Sequence, residues 1–183
     1  MLTHEEVIDE LQQREGFIEA VSITGGEPLL YSGILSFLKS IKSETGLSVK
    51  LDTNGTQPQT LKKVLLYLDY VAMDLKSSPS KYMKATGEKA LFQDVRESIE
   101  IIRSLPSYEF RTTMVPGIVD SEDVIELLQQ TGRIKRYVLQ TFHSSKTLSS
   151  EFTDVSAYPR SYLEDLAGTV RNMDLAEEVV IRL

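Results

Sequence analysis

The chain alternates regularly between short, nearly continuous apolar segments and longer segments with amphipathic helical spacing. Apolar runs of this kind are typical of strands covered on both faces, and their alternation with helices predicts an α/β fold with a parallel sheet. A β/α barrel and an open doubly wound sheet both fit, and periodicity alone does not choose between them. The predicted strands are 20–24, 47–53, 70–75, 108–115, 136–142 and 178–183, and the predicted helices are 3–14, 33–45, 57–67, 93–104, 121–131 and 160–173.

Local signals support individual helices. Thr3 followed three residues later by Glu6 predicts a capping box at the start of the first helix. Leu35, Leu38, Ile41 and Lys42 recur at the three- to four-residue spacing of a helix with one buried stripe. We therefore expect the apolar side chains of this stripe to face the core.

Composition limits the classes of protein to consider. With 183 residues, 41% of them hydrophobic, the chain is long enough for one domain spanning 1–183. A net charge of -7 argues against a general nucleic-acid binder, and no run approaches the roughly 18 to 20 apolar residues of a membrane span. The acidic, polar start does not resemble a signal peptide. We therefore expect a cytoplasmic protein with neither nucleic acid nor membrane as a partner.

The chain contains no cysteine. These 183 residues therefore cannot form a disulfide, a zinc–thiolate site or a thiolate-bound iron–sulfur cluster.

Polar and glycine-rich segments follow the first five predicted strands. They are Gly-Gly-Glu-Pro at 25–28, Asp-Thr-Asn-Gly at 52–55, Asp-Leu-Lys at 74–76, Arg-Thr-Thr at 111–113 and Gln-Thr-Phe-His at 140–143. In parallel β/α folds the carboxyl ends of the strands meet at one edge, where ligand sites are built. The sequence therefore predicts a ligand site formed by several strand ends together.

The first two segments each allow a structural and a functional interpretation. Gly25 and Gly26 suit either a tight turn or the close approach of backbone to a ligand, and Glu27 would place a carboxylate there for a ligand ammonium. Residues 52–55 match a turn, since Asn-Gly is a strong turn signal.

The charged residues of the later segments also allow more than one interpretation. Asp74 and Lys76 alternate along a strand and share a side, so they could pair with each other or hold the two charged ends of an amino acid. Arg111 lies within an apolar strand, and a buried guanidinium needs an anion. His143 alone indicates only a polar end to a strand.

These segments together resemble a known family. Residues 22–30 resemble the glycine-glycine-glutamate motif of radical-SAM enzymes, and residues 50–55, 70–76 and 108–117 resemble the following strands of its glycyl-radical-activating branch. The chain is similar to anaerobic ribonucleoside-triphosphate reductase activating proteins, and to pyruvate formate-lyase activating enzymes, over about residues 3–148, whereas 149–183 is more individual. The resemblance implies a single domain folded as a partial (β/α)6 TIM-like barrel.

The resemblance also implies an S-adenosyl-L-methionine site. Its expected contacts are Gly25, Gly26, Glu27, Thr53, Asp74, Lys76, Arg111, Thr113, Gln140 and His143.

The family assigns roles to these positions. The glycine backbone and Asp74 would face the methionine ammonium, with Glu27 holding the turn, and Lys76 and Arg111 would face the carboxylate. Thr53 would line the same pocket.

The remaining contacts and one cation complete the expected site. His143 would approach the ribose or the carboxylate, while Thr113 and Gln140 would flank the adenine. In relatives the positions of Asp52, Thr53 and Asp74 adjoin a monovalent cation, which makes these residues a candidate cation site here.

The family's [4Fe-4S] cluster is held by three cysteines on a loop after the first barrel strand. The resemblance places that strand and loop before residue 1, so we expect a barrel that lacks both and is inactive alone. The implied activity of the full-length enzyme is generation of a 5′-deoxyadenosyl radical that installs a glycyl radical on a partner enzyme. Anaerobic ribonucleotide reductase is a candidate partner, and flavodoxin or ferredoxin a candidate electron donor. The alternative is a cluster-free barrel that binds S-adenosylmethionine or another amino-acid-like ligand without catalysis.

The first prediction concerns iron. After anaerobic reconstitution with iron and sulfide, the 183-residue chain should retain no cluster, because it offers no thiolate ligand. Iron and sulfide assays with visible absorption spectra measure this directly. About four iron atoms per chain, with the brown colour of a cluster, would contradict the prediction.

Overall fold

The computed structural model describes residues 2–87, 90–146 and 150–183. Six strands form one parallel sheet whose spatial order follows the chain. The strands are β1 (Ala20–Ile23), β2 (Ser48–Thr53), β3 (Tyr70–Asp74), β4 (Tyr108–Met114), β5 (Ile134–Thr141) and β6 (Ala176–Arg182).

Helices connect the strands. They are α1 (His4–Gln13), α2 (Ile34–Glu44), α3 (Pro58–Val64), α4 (Tyr82–Ala85), α5 (Phe92–Ile102), α6 (Ser121–Thr131) and α7 (Arg160–Asn172), with short 3₁₀ turns at Pro28–Leu30, Leu65–Tyr67, Ser144–Lys146 and Ser150–Phe152. Because parallel crossovers are right-handed, a strand order that never reverses puts the helices on one face of the sheet. This is the arrangement of a partial β/α barrel, and it excludes a doubly wound sheet, which requires a reversal of strand order.

Every predicted strand and helix is confirmed, with bounds within two residues when the 3₁₀ turn that continues α3 is included. The capping box at Thr3 and Glu6 is also present. The short helix α4 was not anticipated.

The expected buried stripe of α2 is partly wrong. Leu38 and Ile41 are buried, but Leu35 is exposed and Ile34 takes its place. Ile34, Leu38 and Ile41 follow the i, i+4, i+7 spacing of one helical face, and Leu35 lies at its margin.

The two faces of the sheet differ sharply in chemistry. On the helix-covered face, apolar strand residues such as Leu51, Met73, Phe110 and Leu139 are fully buried within the hydrophobic core. Side chains at the alternate positions point to the opposite face. We call that side the polar face, and its ionisable and polar members on β2 to β6 include Lys50, Asp52, Tyr70, Asp74, Glu109, Arg111, Thr113, Arg136, Gln140, Glu178 and Arg182.

No helix in the described part of the chain is long and apolar enough to cross a membrane. β1 pairs only with β2 in the described ranges, as expected for a sheet edge, and its side chains alternate between exposed and half-buried.

The second prediction concerns this edge. Unpaired backbone groups along β1 should promote self-association, because an exposed strand edge can pair with another chain. Sedimentation velocity over a concentration series should show the association, and Ala20→Lys in β1 should weaken it. Ser43→Lys, which adds the same charge on the exposed side of α2, is the control. A concentration-independent monomer would contradict the prediction.

Candidate functional site

The turn after β1 is tied to the end of β2 by Glu27. Its carboxylate accepts hydrogen bonds from the Thr53 hydroxyl (2.8 Å) and the Asn54 amide (2.7 Å), and it caps the 3₁₀ turn through the Leu29 amide (3.2 Å). Three donors leave this carboxylate little capacity for a ligand ammonium. The structure therefore favours the turn-holding role implied by the resemblance over direct ligand contact.

The turn after β2 begins later than the sequence indicated. Asp52 and Thr53 still belong to β2, and the Asn54 side chain closes the turn by accepting from the Thr56 amide (2.9 Å) and hydroxyl (2.7 Å). Gly55 has φ +76° and lies against the Met73 side chain. Its carbonyl accepts a hydrogen bond from Ser98 of α5 at 2.7 Å, which fixes the turn to the helix layer.

Arg111 is the centre of the strand-end charges. Its Nε donates to Asp74 Oδ1 at 2.8 Å and its Nη1 to Asp52 Oδ1 at 3.0 Å, and its side chain is only 12% exposed. The expectation that this guanidinium needs an anion is met by carboxylates from two neighbouring strands. Burial by itself lowers the pKa of Arg111, but the charges of Asp74 and Asp52 outweigh it and raise the pKa, so the group stays cationic.

Two lysines extend this arrangement. Lys76 Nζ contacts Asp74 Oδ2 at 2.9 Å and Lys50 Nζ contacts Asp52 Oδ1 at 2.9 Å. Burial alone would raise the pKa of Asp52, but the hydrogen bond from Lys50 and the charge of Arg111 hold it below its ordinary 3.8. We call the series Lys50–Asp52–Arg111–Asp74–Lys76 the strand-end network.

The network can exchange partners with a zwitterion. Asp74 is 30% exposed and Lys76 is 42% exposed, so both can be reached from solvent. A ligand ammonium could replace a cation on Asp74 while the ligand carboxylate takes the cation released. Such an exchange conserves the charge balance, which is the chemistry of an amino-acid site.

The other predicted contacts lie nearby without joining the network. Thr113 and Gln140 are register partners on β4 and β5, both half-buried, one same-face step beyond Arg111. His143 is exposed beyond β5 and lines a cleft of about 290 Å³, whereas Lys76 lines a different cleft of about 660 Å³. The structure thus joins Asp74, Lys76 and Arg111 by direct contact and leaves His143 at a neighbouring strand end.

The candidate cation site is filled by the protein's own charges. The Asp52 and Asp74 carboxylates contact lysine and arginine, and the Thr53 hydroxyl donates to Glu27 instead. The described residues contain no group of three or more His, Asp or Glu side chains placed to hold a metal ion.

Sequence reasoning missed five further residues on the polar face: Lys50, Tyr70, Glu109, Arg136 and Arg182. A signal was available for the first four, because each lies an even number of residues from a strand-end polar residue in its own strand.

The chain belongs to the radical SAM superfamily, whose sequence profile matches residues 1–130. Radical SAM proteins use S-adenosylmethionine and a [4Fe-4S] cluster. The charges of the strand-end network fit an amino-acid ligand such as S-adenosylmethionine. The residues present do not fit the cluster, because the chain has no cysteine to hold it.

Two relatives differ in their assigned activities. A Methanocaldococcus jannaschii protein, itself only provisionally assigned as a glycyl-radical enzyme activating enzyme, is 28% identical over 188 residues, which cover 99% of this chain and 77% of the relative. A 7-carboxy-7-deazaguanine synthase from Hyperthermus butylicus is 32% identical over 149 residues, covering 71% of this chain and 62% of that enzyme.

A solved structure supports the fold. A domain of pyruvate-formate lyase-activating enzyme from Bacteroides vulgatus superposes with a TM-score of 0.61 at 18% identity, covering 89% of this chain and 98% of that domain. At this identity the likeness concerns the fold alone.

The third prediction concerns the turn that carries Thr53 and Asn54. Gly55→Ala should lower the free energy of unfolding by about 2–4 kcal/mol, because the new Cβ meets Met73 at a positive φ. Gly168→Ala is the control: it lies in α7 with open space around the new methyl, and should stabilise the chain by about 0.5–1 kcal/mol. Urea titrations of both variants measure the difference, and equal effects would contradict the description of this turn.

Proposed function

We propose that the strand-end network binds the methionyl end of S-adenosylmethionine, and that this chain supplies that site to a radical enzyme of the glycyl-radical-activating class. The observation that carries the proposal is the position of Arg111, held between Asp74 and Asp52 at the strand-end edge that also carries the Gly25–Gly26 turn. A zwitterionic amino acid requires carboxylates and cations side by side, and this edge supplies both.

The glycine turn provides the backbone part of the proposed site. Gly25 has φ +134°, a conformation that favours glycine, and both glycines are exposed with no other atoms within 4 Å of the place where a Cβ would stand. A ligand can therefore approach the main chain here. In the proposed pose the ammonium lies between this backbone and Asp74, and the carboxylate faces Arg111 and Lys76.

The nucleoside end would extend across the sheet towards β5. Thr113 and Gln140 lie in register on the polar face and would flank the adenine, and His143 would approach the ribose from beyond β5. The role of all three is to orient the ligand along the strand ends.

S-adenosylmethionine bound beside a reduced iron–sulfur cluster supplies a 5′-deoxyadenosyl radical in this superfamily. Because these 183 residues contain no cysteine, the proposed activity requires cluster ligands from outside them. The contribution of the chain is to bind and orient the cofactor.

We propose further that the radical acts on a glycyl-radical enzyme, with anaerobic ribonucleotide reductase as the first partner to test and flavodoxin or ferredoxin as the electron donor. The Methanocaldococcus jannaschii relative supports this choice. On this proposal the protein is a single domain over 1–183 that works in an anaerobic cytoplasm.

Two observations favour other functions. The absence of cysteine favours a barrel that binds S-adenosylmethionine or a similar amino acid without catalysis. The 7-carboxy-7-deazaguanine synthase relative favours a small molecule as the substrate of the radical.

The fourth prediction tests the site by calorimetric titration with S-adenosylmethionine. Asp74→Ala and Arg111→Ala should each weaken binding roughly tenfold or more, because each removes a charge-assisted contact worth about 1.5–3 kcal/mol. Arg133→Ala is the matched control, since Arg133 pairs with Asp174 and Glu177 at the opposite end of β5. The affinity of the Arg133→Ala variant for S-adenosylmethionine should equal that of the unmodified chain.

Two outcomes would count against the site. Absence of binding by the folded chain would refute the proposed function, and binding that is indifferent to both substitutions would move the ligand elsewhere on the fold.

A further inference from the structure

A second charged cluster lies on the polar face, beneath the strand-end network. Its centre is Glu109 of β4, one same-face step from Arg111 towards the amino end of the strand, and it is the only glutamate among the described residues that is buried, at 4% exposure. The Tyr70 hydroxyl of β3 donates a hydrogen bond to Glu109 Oε2 at 3.1 Å. We call Glu109, Tyr70, Arg136 and Arg182 the Glu109 cluster.

Three guanidinium groups surround this one carboxylate. Arg182 Nη2 of β6 and Arg111 Nη1 lie 3.5 Å and 4.0 Å from Glu109 Oε1, and Arg136 Nε of β5 lies 3.5 Å from Oε2. A buried carboxylate is costly without cations, and guanidinium groups this close repel one another without an anion. Glu109 is therefore the one carboxylate in the described residues that all three of these arginines contact.

We infer that Glu109 is a positioning residue for the strand-end network: it holds Arg111 in place from beneath and keeps Arg136 and Arg182 away from Asp52 and Asp74. The inference rests on the proposed function in one respect, namely that the network binds S-adenosylmethionine. The arrangement of the arginines can be tested without any ligand.

The carboxylates available on the polar face limit where these arginines can pair. Arg136 has a second partner, Glu178, at 3.1 Å, but the ion pair of Arg182 in the described residues is with Glu109 alone. Without the charge of Glu109, the half-exposed Arg182 side chain turns either to solvent or to another carboxylate, and Asp74 is partly exposed on the same face. A second guanidinium on Asp74 would occupy the position proposed for the ligand ammonium.

Tyr70 reports on the cluster independently. Burial, and then the charge and hydrogen bond of Glu109, raise the pKa of Tyr70 to about 12. Removing the charge of Glu109 should therefore lower that pKa towards the ordinary value of 10.0. The change appears as phenolate absorbance at lower pH, and Tyr70→Phe identifies which part of the titration belongs to Tyr70.

The test compares Glu109→Gln with Glu178→Gln. Both remove one negative charge from the same face next to Arg136, but Glu178 is 55% exposed. In Glu109→Gln we expect the Arg111 Nε–H to exchange with solvent roughly fivefold faster or more by ¹⁵N NMR, and S-adenosylmethionine to bind about five- to tenfold more weakly. Glu178→Gln should change the Arg111 exchange rate and the affinity for S-adenosylmethionine by less than about twofold.

A rescue separates positioning from general stability. If Arg182 competes for Asp74, the double variant Glu109→Gln/Arg182→Gln should recover most of the lost affinity, because the competing cation is gone. It also restores the charge balance, so it remains informative if Glu109→Gln alone folds poorly.

The outcomes distinguish this inference from the proposed function. If the unmodified chain does not bind S-adenosylmethionine, the proposed function fails, and the Arg111 exchange rate still decides whether Glu109 positions Arg111. Unchanged Arg111 exchange in Glu109→Gln together with unchanged affinity would overturn the inference. Failure of the double variant to recover affinity would overturn the competition that it invokes.

Discussion

The architecture of the site depends on how the charge of Arg111 is compensated within the sheet. A guanidinium on a central strand is tolerated only where carboxylates reach it, and these come from β2 and β3, the two strands that precede β4 in space and in sequence. The register of three strands must therefore be correct before any of these charges is satisfied. Since a one-residue slip would turn every side chain to the wrong face, the ion pairs and the apolar core specify the same register.

The same constraint explains the unequal faces of the sheet. The helix-covered face is closed by residues such as Leu51 and Phe110, which follow the two-residue period of a strand. The intervening positions carry the charges, and their long side chains lie over small or apolar residues such as Ala72 and Val138, which are also fully buried. In a closed barrel the interior is packed with apolar side chains, whereas here the corresponding face is lined by arginine, lysine and acidic residues. Such a face suits a polar ligand and is poorly suited to close on itself.

The sequence predicted the elements well because two periodicities recur without interruption and the turns between them carry glycine, proline and asparagine. The helix bounds were accurate where capping residues mark them, as at Thr3 and Asp120. Leu35 was misassigned because a helix margin is decided by what packs against it, which one sequence does not contain. The choice of a barrel came from the family resemblance, since periodicity left two architectures open.

The site was predicted less completely, for a physical reason. Arg111 and Asp74 stood out because each contrasts with its apolar neighbours, but the contrast does not say which partner a charge will find. Asp52 was expected at a turn or a cation site, but its carboxylate lies 3.0 Å from Arg111, which is two strands away in the sheet. Glu109 went unnoticed because a glutamate two residues from Arg111 looks like a surface charge. Pairing across strands 37 and 59 residues apart depends on sheet register, which is a property of the whole fold.

The polar face also bears on how one superfamily fold can serve different substrates. The strand-end network lies on β2, β3 and β4, whereas Arg136 and Arg182 lie on β5 and β6, and Glu109 stands between the two groups. Substitutions on the last two strands could alter the far half of the face without touching Asp52, Asp74 or Arg111. On the proposed function, a glutamate that confines two arginines to that half would leave the binding of the methionyl end of the cofactor to the first strands, and the remaining part of the face to the nucleoside and the substrate.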